Sequence, residues 1–316
     1  MEIVSSIYPA EELQEDIKNQ FPNVNFKFYK GMKEARESFY RAEVFVTYGE
    51  DLVEEDINNA ENLKWIMIMS AGMDKMPFKA CADRGILITN VRGIHKIPMA
   101  EFTLSQMLTY VKQTNALLEN ERQEVWDRKI PMGELAEKTL LVLGIGAIGG
   151  EIARLAKAFR MNVIGINRHG HPHEYADQTF KIDQMKKHLD KADFIVSVLP
   201  STKETQYLLN EEHFKLMKES AVFINIGRGN LIKDEILLKV MENREIAHAY
   251  LDVFEREPLP QGHPFWRMDQ VTVTPHLSSI TKKYMPRSFE IFKHNLHTYM
   301  NKSEDFINPI DPTRGY

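Results

Sequence analysis

Three segments in the second half of the chain carry side chains that could bind and protonate a small acid. Arg228 lies between two glycines directly after an apolar run, and a guanidinium can hold a carboxylate by two parallel hydrogen bonds. Glu257 and His276 each follow a further apolar run, and a histidine beside a carboxylate can act as acid and base near neutral pH. Singly, they could also be a surface arginine, a turn acid and a loop histidine. Their joint placement at successive strand ends favours a catalytic set.

A glycine motif of the G-x-G-x-x-G type is formed by Gly144, Gly146 and Gly149. It follows the apolar run 140–143, opens a helical pattern and leads to a second apolar run at 163–166. Strand, glycine turn, helix and strand together predict a dinucleotide site. We expect Gly144 to allow the tight turn, Gly146 to let a pyrophosphate approach the backbone, and Gly149 to let helix and strand pack closely.

The second strand of this unit ends in Asn167-Arg168-His169, without the carboxylate that usually binds the ribose of NAD. An arginine near this position can pair with the 2′-phosphate of NADP instead. Arg168 therefore favours NADP. The alternative is a solvated arginine in an exposed loop.

Strand-like and helix-like segments alternate along the chain, which predicts an α/β fold with parallel sheets covered by helices. No long linker is present, so we expect two domains joined by ordered segments near 92–100 and 278–288. The expected strands outside the glycine unit are 2–6, 24–29, 44–47, 63–69, 86–89, 194–199, 221–226, 247–253 and 271–274. The expected helices outside it are 10–19, 33–40, 98–120 and 286–300.

Composition narrows the class of protein. The chain has 316 residues, 43% of them hydrophobic and 27% charged, which is typical of a globular protein. No apolar run approaches the roughly twenty residues of a membrane span, and the N-terminus lacks a basic signal region. The net charge of −5 gives no reason to expect nucleic acid. We therefore expect a cytoplasmic protein.

Two other residue types need an interpretation. The single cysteine, Cys81, excludes an internal disulfide and is expected to pack as a small hydrophobe. His169, His171 and His173 alternate in a polar segment that Pro172 interrupts. We interpret them as an exposed loop and expect no metal.

With these residues in view, the chain resembles the D-isomer-specific 2-hydroxyacid dehydrogenases, which include glyoxylate/hydroxypyruvate reductases. The likeness covers nearly the whole chain and includes an ordered Arg, Glu, His set. The matching segments are Ser70-Ala-Gly-Met-Asp74, 85–90, Met99-Ala-Glu101-Phe, the glycine turn, Leu199-Pro200, 225–229, 252–258 and Thr274-Pro-His276.

The resemblance implies roles for single residues. Arg228 would orient the substrate, His276 would donate the proton in reduction, and Glu257 would pair with His276 and hold it protonated. The implied cofactor-binding residues are Gly144, Gly146, Ala147, Ile148, Gly149, Asn167, Arg168, His169, Leu199, Pro200, Thr205, Ile226, Gly227, Asp252 and Ser278. Asp252 would contact the nicotinamide carboxamide. The implied substrate-binding residues are Tyr48, Ala71, Gly72, Met73 and Arg228.

The resemblance also implies an architecture. Residues 1–95 and 284–316 would form a discontinuous, flavodoxin-like substrate domain, and 96–283 a Rossmann domain for the dinucleotide. The active site would lie in the interdomain cleft. A homodimer would form through a segment at about 98–131.

The implied activity is NADPH-dependent reduction of a small 2-oxo acid, of the glyoxylate or hydroxypyruvate type, to the D-2-hydroxy acid, with NAD as a possible cofactor. The absence of a further C-terminal domain weighs against a full-length phosphoglycerate dehydrogenase. A non-catalytic, dinucleotide-sensing corepressor of the same family is the alternative, because such relatives retain the Arg, Glu, His set. A methyltransferase using the glycine turn is remote.

Overall fold

The structure is a computed structural model that describes residues 1–70, 72–73 and 75–313. The strands of this part of the chain are β1 (Glu2–Ser5), β2 (Asn25–Phe28), β3 (Val44–Thr47), β4 (Trp65–Ile68), β5 (Leu87–Asn90), β6 (Thr139–Leu143), β7 (Asn162–Asn167), β8 (Gln178–Lys181), β9 (Phe194–Ser197), β10 (Val222–Asn225), β11 (His248–Leu251), β12 (Val271–Val273) and β13 (Pro309–Ile310).

The α-helices are α1 (Glu11–Gln20), α2 (Met32–Phe39), α3 (Glu54–Asn59), α4 (Phe78–Asp83), α5 (Lys96–Val111), α6 (Thr114–Arg122), α7 (Ala147–Ala158), α8 (Glu211–Lys215), α9 (Asp234–Glu242) and α10 (Tyr284–Met300). Short 3₁₀ helices occupy Ile182–Lys191, Gly229–Leu231 and Pro264–Arg267. No helix within the described ranges is long and apolar enough to cross a membrane.

One compact unit combines the two ends of the chain, Met1–Ile94 and Thr281–Tyr316. Its sheet has the order β13-β5-β4-β3-β1-β2, and all neighbours are parallel except β13 with β5. The order 2-1-3-4-5 within this sheet is that of the flavodoxin-like doubly wound folds. Trp65 on β4 packs against Phe292 on α10, with ring centroids 5.7 Å apart. The last helix therefore shares a core with the N-terminal strands.

The other compact unit is continuous and spans His95–Ile280. Its seven-stranded sheet is parallel throughout, in the order β12-β11-β10-β9-β6-β7-β8. This is the Rossmann order, which reverses between β6 and β9. The inner strands are buried on both faces, as their unbroken apolar runs predict. The predicted α/β class with two parallel-sheet domains is confirmed.

The prediction of a single helix at 98–120 is wrong, because the structure has two helices there. α5 ends at Val111, and Gln113 adopts a left-handed backbone with φ of 51° before α6 begins. The polar run Lys112-Gln-Thr-Asn offers no apolar side chain to hold a continuous helix against the core. α6 has no buried residue, so no contact with the core holds it in line with α5 as one continuous helix. The edge strand β8 and the short β13 were not expected.

Cys81 lies on α4 and is fully buried. Burial raises the pKa of its thiol to about 11. The side chain therefore packs as a small neutral hydrophobe, in agreement with the sequence-based expectation.

Candidate active site

The glycine turn joins β6 to the N-terminus of the twelve-residue helix α7. Gly144 has a φ of +98°, a conformation that glycine adopts without strain. A methyl group at Gly149 would overlap the Gly144 carbonyl oxygen and lie 2.9 Å from Cγ1 of Val142. Glycine at 149 therefore lets α7 pack directly on β6. The next two residues of the motif region, Ala147 and Ile148, form the first turn of α7.

The loop after β7 is closed by the side chain of Asn167. Its Oδ1 accepts hydrogen bonds from the backbone N–H groups of His169 (3.1 Å) and Gly170 (2.6 Å). Its Nδ2 donates to the carbonyl of His171 at 2.9 Å. Arg168, at the tip of this loop, is exposed. The guanidinium of Arg168 is near enough to Glu204 to help lower the pKa of that carboxyl, after the larger effects of hydrogen bonds from Thr202 and the backbone of Glu204.

The turn after β9 contains Leu199, Pro200 and Thr205. Leu199 is buried, and its backbone passes close to two glycines: a methyl group at Gly227 would lie 2.7 Å from the Leu199 carbonyl oxygen. The Thr205 hydroxyl donates to the carbonyl of Pro200 at 2.5 Å and accepts from a backbone N–H at 2.8 Å. Glycine at 227 therefore brings the ends of β9 and β10 together.

Arg228 follows β10 and is half-buried. Asn225 fixes the turn before it, since Oδ1 accepts from Gly227 N (3.2 Å) and Nδ2 donates to the Arg228 carbonyl (3.1 Å). A guanidinium N–H of Arg228 donates to the Gly227 carbonyl at 2.9 Å. A methyl group at Gly229 would overlap the backbone of Phe254. This glycine therefore lets the loop after β11 lie directly against the arginine loop.

His276 and Glu257 form a pair, with Nδ1 of the histidine 2.7 Å from Oε2 of the carboxylate. The other carboxylate oxygen accepts from Phe254 N at 3.1 Å, which orients the acid. Nδ1 is thereby occupied, so Nε2 is the ring nitrogen left to meet a substrate. The two side chains are 45% and 36% exposed, which leaves the pair open to a reactant.

The backbone of His276 is left-handed, with a φ of 50°, which is uncommon for a residue other than glycine. Asp252, which is 1% exposed, holds this segment. Its Oδ1 accepts from the Thr274 hydroxyl (2.6 Å) and Leu277 N (2.9 Å), and its Oδ2 accepts from Ser278 N (2.9 Å). The buried carboxylate therefore fixes the residues on both sides of the histidine.

The structure brings the three predicted catalytic residues to adjacent strand ends. Asn225 on β10 pairs with Leu251 on β11, and Leu251 pairs with Val273 on β12. The loops that follow these strands carry Arg228, Glu257 and His276. Ligands of open α/β sheets bind at this carboxyl edge.

Sequence reasoning missed His95, which directly precedes α5 and is 7% exposed. Burial first, and the positive charge of Arg228 second, lower the pKa of this imidazole to about 4. His95 is therefore neutral at physiological pH and adds no second cation beside Arg228. A histidine amid residues that open a helix gave no signal of this proximity.

Three of the residues expected to bind substrate, Tyr48, Gly72 and Met73, are described in the unit that contains the N-terminal strands. Tyr48 is exposed and Met73 is buried. The Ser70 hydroxyl lies 2.6 Å from the Gly72 carbonyl and 2.9 Å from the Tyr48 carbonyl, and so links the two loops. Ala71 lies outside the described residues. Their role in substrate binding stays a prediction.

The histidine segment after Asn167 differs from the expected exposed loop. His169 and His171 are exposed, with ring centroids 5.6 Å apart, but His173 is partly buried against Gly150 of α7. In the described ranges, no group of three His, Cys, Asp or Glu residues could hold a metal ion.

Comparison with known proteins gives consistent results. The family model described as "D-isomer specific 2-hydroxyacid dehydrogenase, NAD binding domain" matches residues 104–278. A glyoxylate reductase of Thermofilum pendens is 32% identical over 249 residues, 77% of this chain and 73% of that one. A D-isomer specific 2-hydroxyacid dehydrogenase family protein from Aeromonas salmonicida has a TM-score of 0.89 at 29% identity, covering 98% and 99% of the two chains. One from Xanthobacter autotrophicus, in complex with NADPH and MES, has a TM-score of 0.82 at 25% identity, covering 99% of each chain.

Proposed function

The chain belongs to the D-isomer specific 2-hydroxyacid dehydrogenases, enzymes that act on 2-oxo and 2-hydroxy acids with a nicotinamide dinucleotide, and we propose that it reduces a small 2-oxo acid with NADPH. The observation that carries this proposal is the 2.7 Å pair of His276 and Glu257 on the loops next to Arg228. The product is the D-2-hydroxy acid. Glyoxylate and hydroxypyruvate are the substrates that we expect.

The acid–base chemistry follows from the pair. The Glu257 carboxylate lies 2.7 Å from Nδ1, which orients the ring and leaves Nε2 to face a substrate. During reduction, negative charge develops on the carbonyl oxygen of the substrate. Protonated His276 stabilises that charge and then donates its Nε2 proton to the oxygen.

Arg228 binds the substrate by charge. Its half-buried guanidinium lies at the carboxyl edge of the sheet, where it can form two parallel hydrogen bonds with a carboxylate or polarise a carbonyl. The nearby His95 is neutral, so the guanidinium is the cation that the substrate meets on this side.

The glycine turn fits a dinucleotide. A side chain at Gly146 would point into space that holds no heavy atom of the described chain within 4 Å, beside the N-terminus of α7. Backbone N–H groups and the positive end of the helix dipole favour a pyrophosphate there. When bound, the reduced nicotinamide supplies the hydride. Asp252 already accepts three hydrogen bonds from its own chain, and a carboxylate has room for about one more, from a carboxamide.

NADPH is preferred to NADH in this proposal because of Arg168. The guanidinium is exposed at the tip of the loop after β7. The side chain of Asn167 is hydrogen-bonded within that loop and closes it. The segment 167–173 after this strand contains no carboxylate to bind a ribose hydroxyl, and the carboxyl near the guanidinium, that of Glu204, comes from another loop. The 25% identical structure from Xanthobacter autotrophicus was solved with NADPH, which supports this choice.

A panel of 2-oxo acids, each tested with NADPH and with NADH, examines the proposal. We expect the highest kcat/KM for glyoxylate or hydroxypyruvate with NADPH. Arg168→Ala should weaken the binding of NADPH about ten- to hundredfold and leave the affinity for NADH unchanged, since a charge-assisted contact contributes roughly 1.5–3 kcal/mol. Equal efficiency with both cofactors would contradict the NADPH preference. Cofactor binding without turnover of any 2-oxo acid would favour the non-catalytic corepressor alternative.

We also propose that the protein is a homodimer that uses the segment at about 98–131. Helix α6 has no buried residue and exposes Leu117 and Leu118. Trp126, just after it, is 92% exposed. Exposed apolar side chains so close together favour a protein interface.

A further inference from the structure

His173 lies directly against Gly150 in the first half of α7. A methyl group added at Gly150 would overlap Nε2 and Cε1 of the His173 ring. The ring therefore occupies the space that any other residue at position 150 would fill. Gly150 is not one of the three glycines of the turn motif, so the motif does not account for it.

The His173 ring is held in this position by its own segment. Nδ1 accepts a hydrogen bond from Tyr175 N at 3.3 Å, and the His173 carbonyl accepts from Ala176 N at 3.0 Å. Nδ1 is an acceptor, so Nε2 carries the proton in the neutral ring and faces the helix. Tyr175 and Ala176 then pack on the hydrophobic cluster that contains Ile152 of α7.

The segment that precedes His173 is also closed. Asn167 bonds to His169, Gly170 and His171, so the loop that carries Arg168 has a defined shape. That shape alone does not place the loop relative to the glycine turn. The contact of His173 with Gly150 ties the far end of the loop to α7, the helix whose N-terminus follows the turn.

We propose that His173 and Gly150 form a docking pair that positions Arg168 for the 2′-phosphate of NADPH, and so act as positioning residues for cofactor choice without touching the cofactor. This inference rests on the proposed use of NADPH. A loop that is held in its binding conformation before the ligand arrives loses less entropy on binding. The benefit falls on the ligand that uses the Arg168 charge, because a ribose hydroxyl gains little from a guanidinium.

Direct binding of two fragments tests the proposal without any turnover. Adenosine 2′,5′-bisphosphate carries the 2′-phosphate, and adenosine 5′-monophosphate lacks it. Calorimetry should show that the unmodified protein binds the bisphosphate at least about tenfold more tightly. In Gly150→Ala we expect that affinity to fall about tenfold while the affinity for the monophosphate stays within about twofold. Alanine is the better helix former, so α7 remains intact.

The double variant is the matched control. His173→Ala should also weaken binding of the bisphosphate. The double variant His173→Ala with Gly150→Ala should bind it no more weakly than His173→Ala alone, because the added methyl group then contacts no ring. Additive losses in the double variant would overturn the docking pair. Equal losses for both fragments in Gly150→Ala, or no loss at all, would also overturn it and leave the NADPH preference standing. An unmodified protein that does not discriminate between the fragments would overturn the NADPH assignment, and this inference with it.

Discussion

Asp252→Asn tests whether the buried carboxylate positions the proton donor. The carboxylate accepts from Thr274, Leu277 and Ser278, on both sides of His276. An amide of the same shape has one acceptor oxygen and one N–H donor group. Whichever way the amide turns, its NH₂ faces one of the two backbone N–H groups, so one donor loses its partner.

The magnitude follows from these contacts. Hydrogen bonds to a charged acceptor contribute about 1.5–3 kcal/mol each and neutral ones about 0.5–1.5, so two weakened bonds cost roughly 2 kcal/mol. The stranded donor, the N–H of the 3% exposed Ser278 when the oxygen stays on the Thr274 side, adds about 1–3 kcal/mol. Relief of the desolvation of the carboxylate offsets part of this. We expect the free energy of unfolding to fall by about 2–4 kcal/mol.

Turnover should fall as well, because the left-handed His276 is held by the same network. A displacement of about 1 Å can reduce a rate about 10²-fold, and we expect a loss of kcat of that order. The measurements are urea denaturation, kcat with one good 2-oxo acid, and the Kd of NADPH. Thr274→Val is the matched control: it removes one donor, keeps both backbone donors and should have the smaller effect on both stability and kcat. If Asp252→Asn had unchanged stability and a higher Kd for NADPH, the positioning role would be refuted and Asp252 would be a cofactor contact.

The remaining predictions concern protons and assembly. Asparagine tolerates a left-handed backbone, so His276→Asn keeps the local geometry. It should reduce turnover about 10²–10⁴-fold while NADPH binding survives, and near-normal turnover would remove the mechanism. Glu257→Gln keeps the shape of the acid but removes the negative charge beside the His276 ring, so kcat for reduction should fall, and an unchanged kcat would contradict the role of the pair. Burial lowers the pKa of His248 in the folded protein to about 4, so as the pH falls this histidine is protonated in the unfolded chain before it is in the folded one. The free energy of unfolding should therefore fall by up to ~3 kcal/mol between pH 6.5 and 4. In His248→Gln the slope of the unfolding free energy against pH should flatten. Light scattering should give a dimer mass, and a monomer mass at all concentrations would refute the assembly through the Trp126 segment.

Local features of the fold could be predicted from the sequence. The apolar runs and the glycine turn before α7 predict strand, turn, helix and strand, because each depends on neighbours a few residues apart. The break at Gln113 could not, since glutamine gives no sign of a left-handed backbone. Periodicity does not show which distant segments share a core, so the packing of α10 on Trp65 was expected only from the family resemblance.

The candidate site shows the same division. The three strand ends that carry Arg228, Glu257 and His276 were predictable from chemistry and position. The sequence gives no reason for the glycine at 229, and only the structure shows that it makes room for the backbone of Phe254. His173 looked like an exposed loop residue, because nothing in the segment 168–173 shows that Gly150 leaves space for its ring.

The geometry of His276, the proposed proton donor, depends on a residue that lies far from it in sequence. A left-handed backbone at a non-glycine residue costs roughly 1–2 kcal/mol. Within the segment, the N–H of His276 donates to the Thr274 carbonyl at 3.1 Å. Asp252, at the neighbouring strand end, adds three hydrogen bonds that reach across 22 to 26 residues. That carboxylate is in place because Leu251 pairs with Val273 in the register of β11 and β12. A shift of that register by one residue would move Thr274, Leu277 and Ser278 away from the carboxylate, so the position of His276 depends on the strand pairing.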